Sequence, residues 1–115
     1  MEIKRFEGTG RMSRVVEFNK TLYLCGQTCS DVDSIEEQTK CVLKKIEDLL
    51  LKYGSDRKHI ISTTIYLRNI SDFDKMNVLW DDWVIDGFEP ARACVEAKMA
   101  RENILVEMSV VAAVK

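Results

Sequence analysis

The sequence predicts an α+β fold, a single mixed sheet of about six strands with two helices on one face. Three observations carry that reading. The apolar period switches between two and 3.6 residues in the order β-β-β-α-β-α-β-β. The first helical segment is bounded by its own start and stop signals. The chain has 115 residues of which 46% are hydrophobic, enough for one ordinary core, so residues 1–115 read as a single domain without internal repeat or linker.

Along the chain, Ile3–Phe6 reads as a short edge strand. Residues 14–18 and 21–25 flank Asn19-Lys20 and form a hairpin with a tight turn, after which Gly26-Gln27 breaks the strand. Ser34-Ile35-Glu36-Glu37 is a capping box, and Ile35, Val42, Leu43, Ile46, Leu49, Leu50 and Tyr53 then make one helical face up to the stop at Gly54. Residues 60–67 are β-branched and aromatic, which predicts a strand. Ser71-Asp72-Phe73-Asp74 opens a second helix with Phe73, Met76, Leu79, Trp80, Trp83 and Val84 on its apolar face, ended by Gly87 and Pro90.

Two last strands run from Ala91 to about Met99 and from Ile104 to Val114. In the first, Ala91, Ala93, Val95 and Ala97 share one face, and the three alanines are expected to lie under a helix; Arg92, Cys94, Glu96 and Lys98 share the other. The second is apolar on both faces except at Glu107 and Ser109, as a central strand would be. The second sheet face is itself apolar, so Val106, Val111 and their neighbours are expected to need the cover of an oligomer.

Composition narrows function. Seventeen Lys+Arg against nineteen Asp+Glu give a net charge of −2, a poor footprint for nucleic acid. The charged N-terminus has no signal-peptide core, and the longest apolar run, Val110–Val114, is far too short for a membrane span. A cytoplasmic, soluble protein is expected. Cys25, Cys29, Cys41 and Cys94 contain no Cys-x-x-Cys pair, so zinc is not expected and reduced thiols are. The single histidine, His59, stands in a polar stretch and reads as solvated.

Two charged residues interrupt apolar strands. Arg92 follows Pro90-Ala91 among small and apolar neighbours, a costly place for a guanidinium unless its fork meets an anion. That anion is either a ligand or an internal carboxylate, Glu96 or Glu107. Glu107 itself stands in Ile104-Leu105-Val106-Glu107-Met108 and is either the partner of Arg92 or a proton-handling group. Cys94, two residues after Arg92, faces the same way and reads as a small pocket-lining residue rather than a nucleophile.

Taken together, Pro90-Ala91-Arg92-Ala93-Cys94-Val95-Glu96-Ala97 and Ile104-Leu105-Val106-Glu107-Met108 resemble the C-terminal signature of the Rid family, YjgF-type reactive-intermediate (enamine/imine) deaminases. Leu24-Cys25-Gly26-Gln27, Gln38-Thr39, residues 60–67, Asp72-Phe73, Met76-Asn77 and Trp80 extend the resemblance over nearly the whole chain, nearest to the small YoaB-like branch. The resemblance implies a chorismate-mutase-like fold, a homotrimer with sites at the subunit clefts, and hydrolysis of 2-imino acids to 2-oxo acids and ammonia without metal or organic cofactor. It implies that Arg92 clamps the substrate carboxylate, Glu107 positions the attacking water, Cys94 and Gly26 line the pocket, and Asn77 lies near its mouth. Arg11-Met12-Ser13 stands where the best-known branch has Gly-Pro-Tyr, so Met12 replaces a site tyrosine and bears on substrate range. The alternative is a non-catalytic trimeric module that binds small carboxylates.

Overall fold

In the computed structural model, which describes residues 2–115, six strands form one sheet in the order β1-β2-β3-β6-β4-β5. They are β1 (Lys4–Gly8), β2 (Ser13–Phe18), β3 (Thr21–Leu24), β4 (Ile60–Leu67), β5 (Ala91–Glu96) and β6 (Val106–Ala113). Only β4 and β5 pair parallel; every other neighbour is antiparallel. The predicted element order and the mixed sheet are both present. The first strand lies at one edge and the last strand near the middle, as their polarity required.

The β2–β3 turn places Asn19 and Lys20 at φ 53° and 56°, the left-handed pair that a two-residue hairpin needs to match strand twist. Helix α1 (Ile35–Lys52) begins at Ser34, whose Oγ accepts from the Glu37 N–H at 3.0 Å. Its apolar stripe is buried on β6, with Val42, Ile46 and Leu50 wholly enclosed. Gln38 is the polar exception. It is fully buried, its Nε2 donates to the carbonyls of Val32 and Asn103, and its Oε1 accepts from the Leu105 N–H. That clamp fixes α1 against the approach to β6.

Helix α2 (Phe73–Trp83) is shorter than its sequence signals imply. Residues Ile70–Asp72 form a 3-10 turn instead of a side-chain cap. The helix stops at Trp83 rather than Gly87, because Val84 turns extended and Gly87 serves a later turn at φ 86°. Of its predicted face only Met76 and Trp80 are buried; Phe73, Leu79, Trp83 and Val84 are half-buried, in a helix that packs chiefly on α1.

Three expectations about the sheet are corrected. The helix lies over Arg92, Cys94 and Glu96, not over the alanines: Arg92 reaches Asn77, and Glu96 Oε1 accepts from the Ile70 N–H. Period two fixes which residues share a face but not which face is covered. Val106 needs no oligomer, because it alternates with Met108, Val110 and Ala112 into the helix-covered core; Val111 is on the opposite, helix-free face. Both last strands are shorter than predicted, because the chain leaves β5 after Glu96 and enters β6 only at Val106.

The helix-free face carries Val16, Tyr23 and Val111, register neighbours across β2, β3 and β6, and, in a separate row, Val95 and Tyr66, which continue to Glu107 across β5, β4 and β6. Tyr23 and Val95 are 46% and 45% exposed, so an apolar surface does remain open on this side. Among the described residues no helix is long and apolar enough to cross a membrane.

Candidate active site

The predicted site residues fall into two groups on opposite faces of the sheet. On the helix side, edge strand β5 presents Arg92 to α2. Its Nη1 donates to Asn77 Oδ1 at 2.7 Å, and its guanidinium lies 5.4 Å from the Trp80 ring and 5.8 Å from that of Phe73. Cys94 follows on the same face, packed against the core, and burial pushes its thiol up, partly offset by the charge of Arg92. A thiol whose pKa is raised is a poorer nucleophile.

Neither internal carboxylate weighed for Arg92 reaches it. Glu96 is bonded to the Ile70 backbone, Glu107 faces the other way, and no described residue forms an ion pair with Arg92. The guanidinium is thus held by two rings and an amide oxygen, with most of its donors uncommitted.

On the helix-free face, Glu107 is half-buried and pairs in register with Tyr66. Its carboxyl lies directly over Gly26: a Cβ built there would overlap Glu107 Oε2 and meet Cδ at 2.9 Å. The approach is possible because the chain bulges after β3 and rejoins β6 at Gln27, whose backbone exchanges two hydrogen bonds with Met108. Tyr66, Ser109 and residues 97–100 complete an open depression of about 340 Å³ around Glu107. Sequence reasoning named Glu107 and Gly26 but not Tyr66 or Ser109, which only register brings alongside.

Met12 lies in the β1–β2 loop, 50% exposed. His59 approaches no thiol; its Nδ1 is 2.6 Å from Asp56 Oδ1. Cys29 and Cys41 are joined as a disulfide, against the expectation of free thiols, because the loop after β3 folds back onto α1. Cys25 and Cys94 are free.

A mixed six-strand sheet with two helices on one face, with an arginine at its edge that has no carboxylate partner among the described residues and a glutamate over Gly26, defines a small α+β protein. The chain belongs to the Ribonuc_L-PSP (YjgF/Rid) family, whose model, described as Endoribonuclease L-PSP, matches residues 2–114. The RutC family protein YoaB of Escherichia coli is 40% identical over 115 residues, covering 99% of this chain and all of that one. A member of the YjgF protein family from Neisseria meningitidis has a solved structure that superposes with a TM-score of 0.97 at 40% identity, covering 100% of this chain and 97% of that one. The Rid family protein YyfA from Yersinia pestis superposes at 0.86 with 34% identity, covering 93% and 90%.

Proposed function

We propose that this protein hydrolyses 2-imino acids, and their enamine tautomers, to 2-oxo acids and ammonia. The observation that carries the reading is Arg92, oriented by Asn77, Trp80 and Phe73 yet lacking any carboxylate partner among the described residues. A bidentate guanidinium so placed suits a substrate carboxylate, and a lysine would not reproduce its fork.

Arg92 and Glu107 lie on opposite faces of one sheet, so a site using both is completed between subunits. The exposed apolar face around Tyr23, Val111 and Val95 supports a homotrimer with the site at its clefts. There Arg92 fixes the substrate carboxylate, while Glu107 takes a proton from a water directed at the imine carbon. The C–O bond forms as the C=N π pair moves to nitrogen, which takes a proton from solvent water, giving the carbinolamine. Glu107 then returns its proton to the amino nitrogen, and the C–N bond breaks with its electron pair leaving on ammonia as the hydroxyl gives its proton to water and becomes the carbonyl. Most of the acceleration is proximity and orientation, since such imines already hydrolyse in water. No step calls on a metal or organic cofactor. Cys94 and Gly26 shape the pocket, Asn77 orients the arginine, and Met12 adjusts which side chains enter.

An amino-acid oxidase generating a 2-imino acid in situ, with semicarbazide trapping what remains, tests the reading. Wild type diverts imine from the trap and Arg92→Ala does not; failure of both overturns it in favour of a carboxylate-binding module. Light scattering should give about three times 13.2 kDa, and a monomer would deny the site its second wall. Ribonuclease action, the activity in the family model's description, is disfavoured by the net charge of −2.

A further inference from the structure

Glu107 does not stand alone on the helix-free face. Tyr66 is its direct register partner in the antiparallel β4–β6 pair, so the two Cβ atoms stand about 5 Å apart and both side chains rise from one face. Both are half-buried and line the same depression of about 340 Å³. We infer that Tyr66 is a further catalytic residue: its hydroxyl and the Glu107 carboxylate hold the hydrolytic water between them. The inference rests on the imine hydrolysis proposed above and adds to it the group that aims the nucleophile.

Three observations support the pair. Both groups are uncommitted: among the described residues neither the Tyr66 hydroxyl nor the Glu107 carboxylate has a side-chain hydrogen bond or an ion pair, and the two do not bond each other. Tyr53, by contrast, donates its hydroxyl proton to Glu7. A donor and an acceptor set side by side without direct contact suit a bridging water.

The carboxylate is also held to one side. It lies over Gly26, toward β3, and Tyr66 rises on the opposite flank from β4, so the space between them opens away from the sheet. The other hydroxyl of the depression fits less well. Ser109 lies two residues further along β6, roughly 7 Å from Glu107 along the strand, and its side chain is short.

A water so held donates one proton to Glu107 and accepts the Tyr66 O–H with one lone pair. Its second lone pair then points out toward the cleft in which Arg92 fixes the substrate carboxylate. As Glu107 takes the proton, that pair forms the C–O bond. Tyr66 keeps its own proton throughout; its hydrogen bond stays on the same oxygen, first of water, then of the carbinolamine hydroxyl, then of the product carbonyl.

The test is Tyr66→Phe in the full chain, which removes the hydroxyl and keeps the ring and its packing. The oxidase–semicarbazide competition is run over a range of imine supply, with thermal unfolding and light scattering as checks on fold and assembly. Turnover about tenfold lower is expected, the effect of one lost hydrogen bond to the reacting oxygen, with KM within about twofold of wild type. Tyr66→Phe combined with Glu107→Gln should be no slower than Glu107→Gln alone, because both groups hold one water; a tyrosine that merely packed would not show this dependence. Wild-type turnover in Tyr66→Phe, a raised KM with unchanged turnover, or full additivity in the double variant overturns the assignment. If wild type is active and Arg92→Ala is not, such a result leaves imine hydrolysis standing and removes Tyr66 alone; an inactive wild type overturns both.

Discussion

Gly26→Ala separates catalytic placement from folding. Gly26 is not at positive φ, so alanine imposes no backbone strain, and it restricts the unfolded chain by an amount favouring the native state by about 0.4–1 kcal/mol. The new methyl overlaps Glu107 Oε2 and comes within 2.9 Å of Cδ and 3.1 Å of Cγ. Those atoms end a flexible side chain, so the clash is relieved by swinging the carboxylate away, by about an ångström or more at its tip. A displacement of ~1 Å of a water-positioning group costs on the order of 100-fold in turnover, about 2.7 kcal/mol of barrier. The oxidase–semicarbazide competition should therefore show Gly26→Ala about two orders of magnitude slower, with thermal unfolding near that of wild type. Gly26→Ala combined with Glu107→Gln should be no slower than Glu107→Gln alone, because both act on one carboxylate. Near-normal turnover in Gly26→Ala, or full additivity in the double variant, would refute the placement of Glu107 as the water-handling group.

Other outcomes follow from the same geometry. Arg92→Lys keeps a charge but loses the fork, the Asn77 bond and the ring contacts, so imine hydrolysis should fall at least roughly 100-fold with an unchanged circular dichroism spectrum. Gln38→Ala strands the Leu105 N–H and the carbonyls of Val32 and Asn103 in a closed core. Urea unfolding at fixed protein concentration should show a loss of about 3 kcal/mol, and a loss below about 1 kcal/mol would mean water replaces the clamp. The hydrogen bond with His59, aided by Lys115 and the Lys58 N–H, holds the Asp56 carboxyl below its ordinary value. A lowered folded-state pKa stabilises above the unfolded value near 4 and stops doing so as pH falls through the folded one. Asp56→Asn should thus cost no more than about 1 kcal/mol at pH 7, a difference that closes in unfolding curves below about pH 4.

Some of this protein was legible because it is local. The Asn19-Lys20 turn, the Ser34 cap and the stripe from Ile35 to Leu50 depend on neighbours a few residues away, and each stands where the sequence put it. The second helix was overrun because Gly87 resembles a stop signal, while the true end at Trp83 depends on how Val84 turns away from the sheet. The pairing of Cys29 with Cys41 was likewise out of reach, since their approach depends on the fold of the loop after β3.

The sequence by itself determined the element order, the two helices, and the odd charges Arg92 and Glu107, because period, capping and composition are properties of a few consecutive residues. Only the tertiary structure decided which face of β5 the helices cover, that Gly26 lies under Glu107, and that Arg92 and Glu107 lie on opposite sides of the sheet. Alternation fixes relative sides, but the absolute side depends on strand order and register, and those are settled by contacts between segments tens of residues apart.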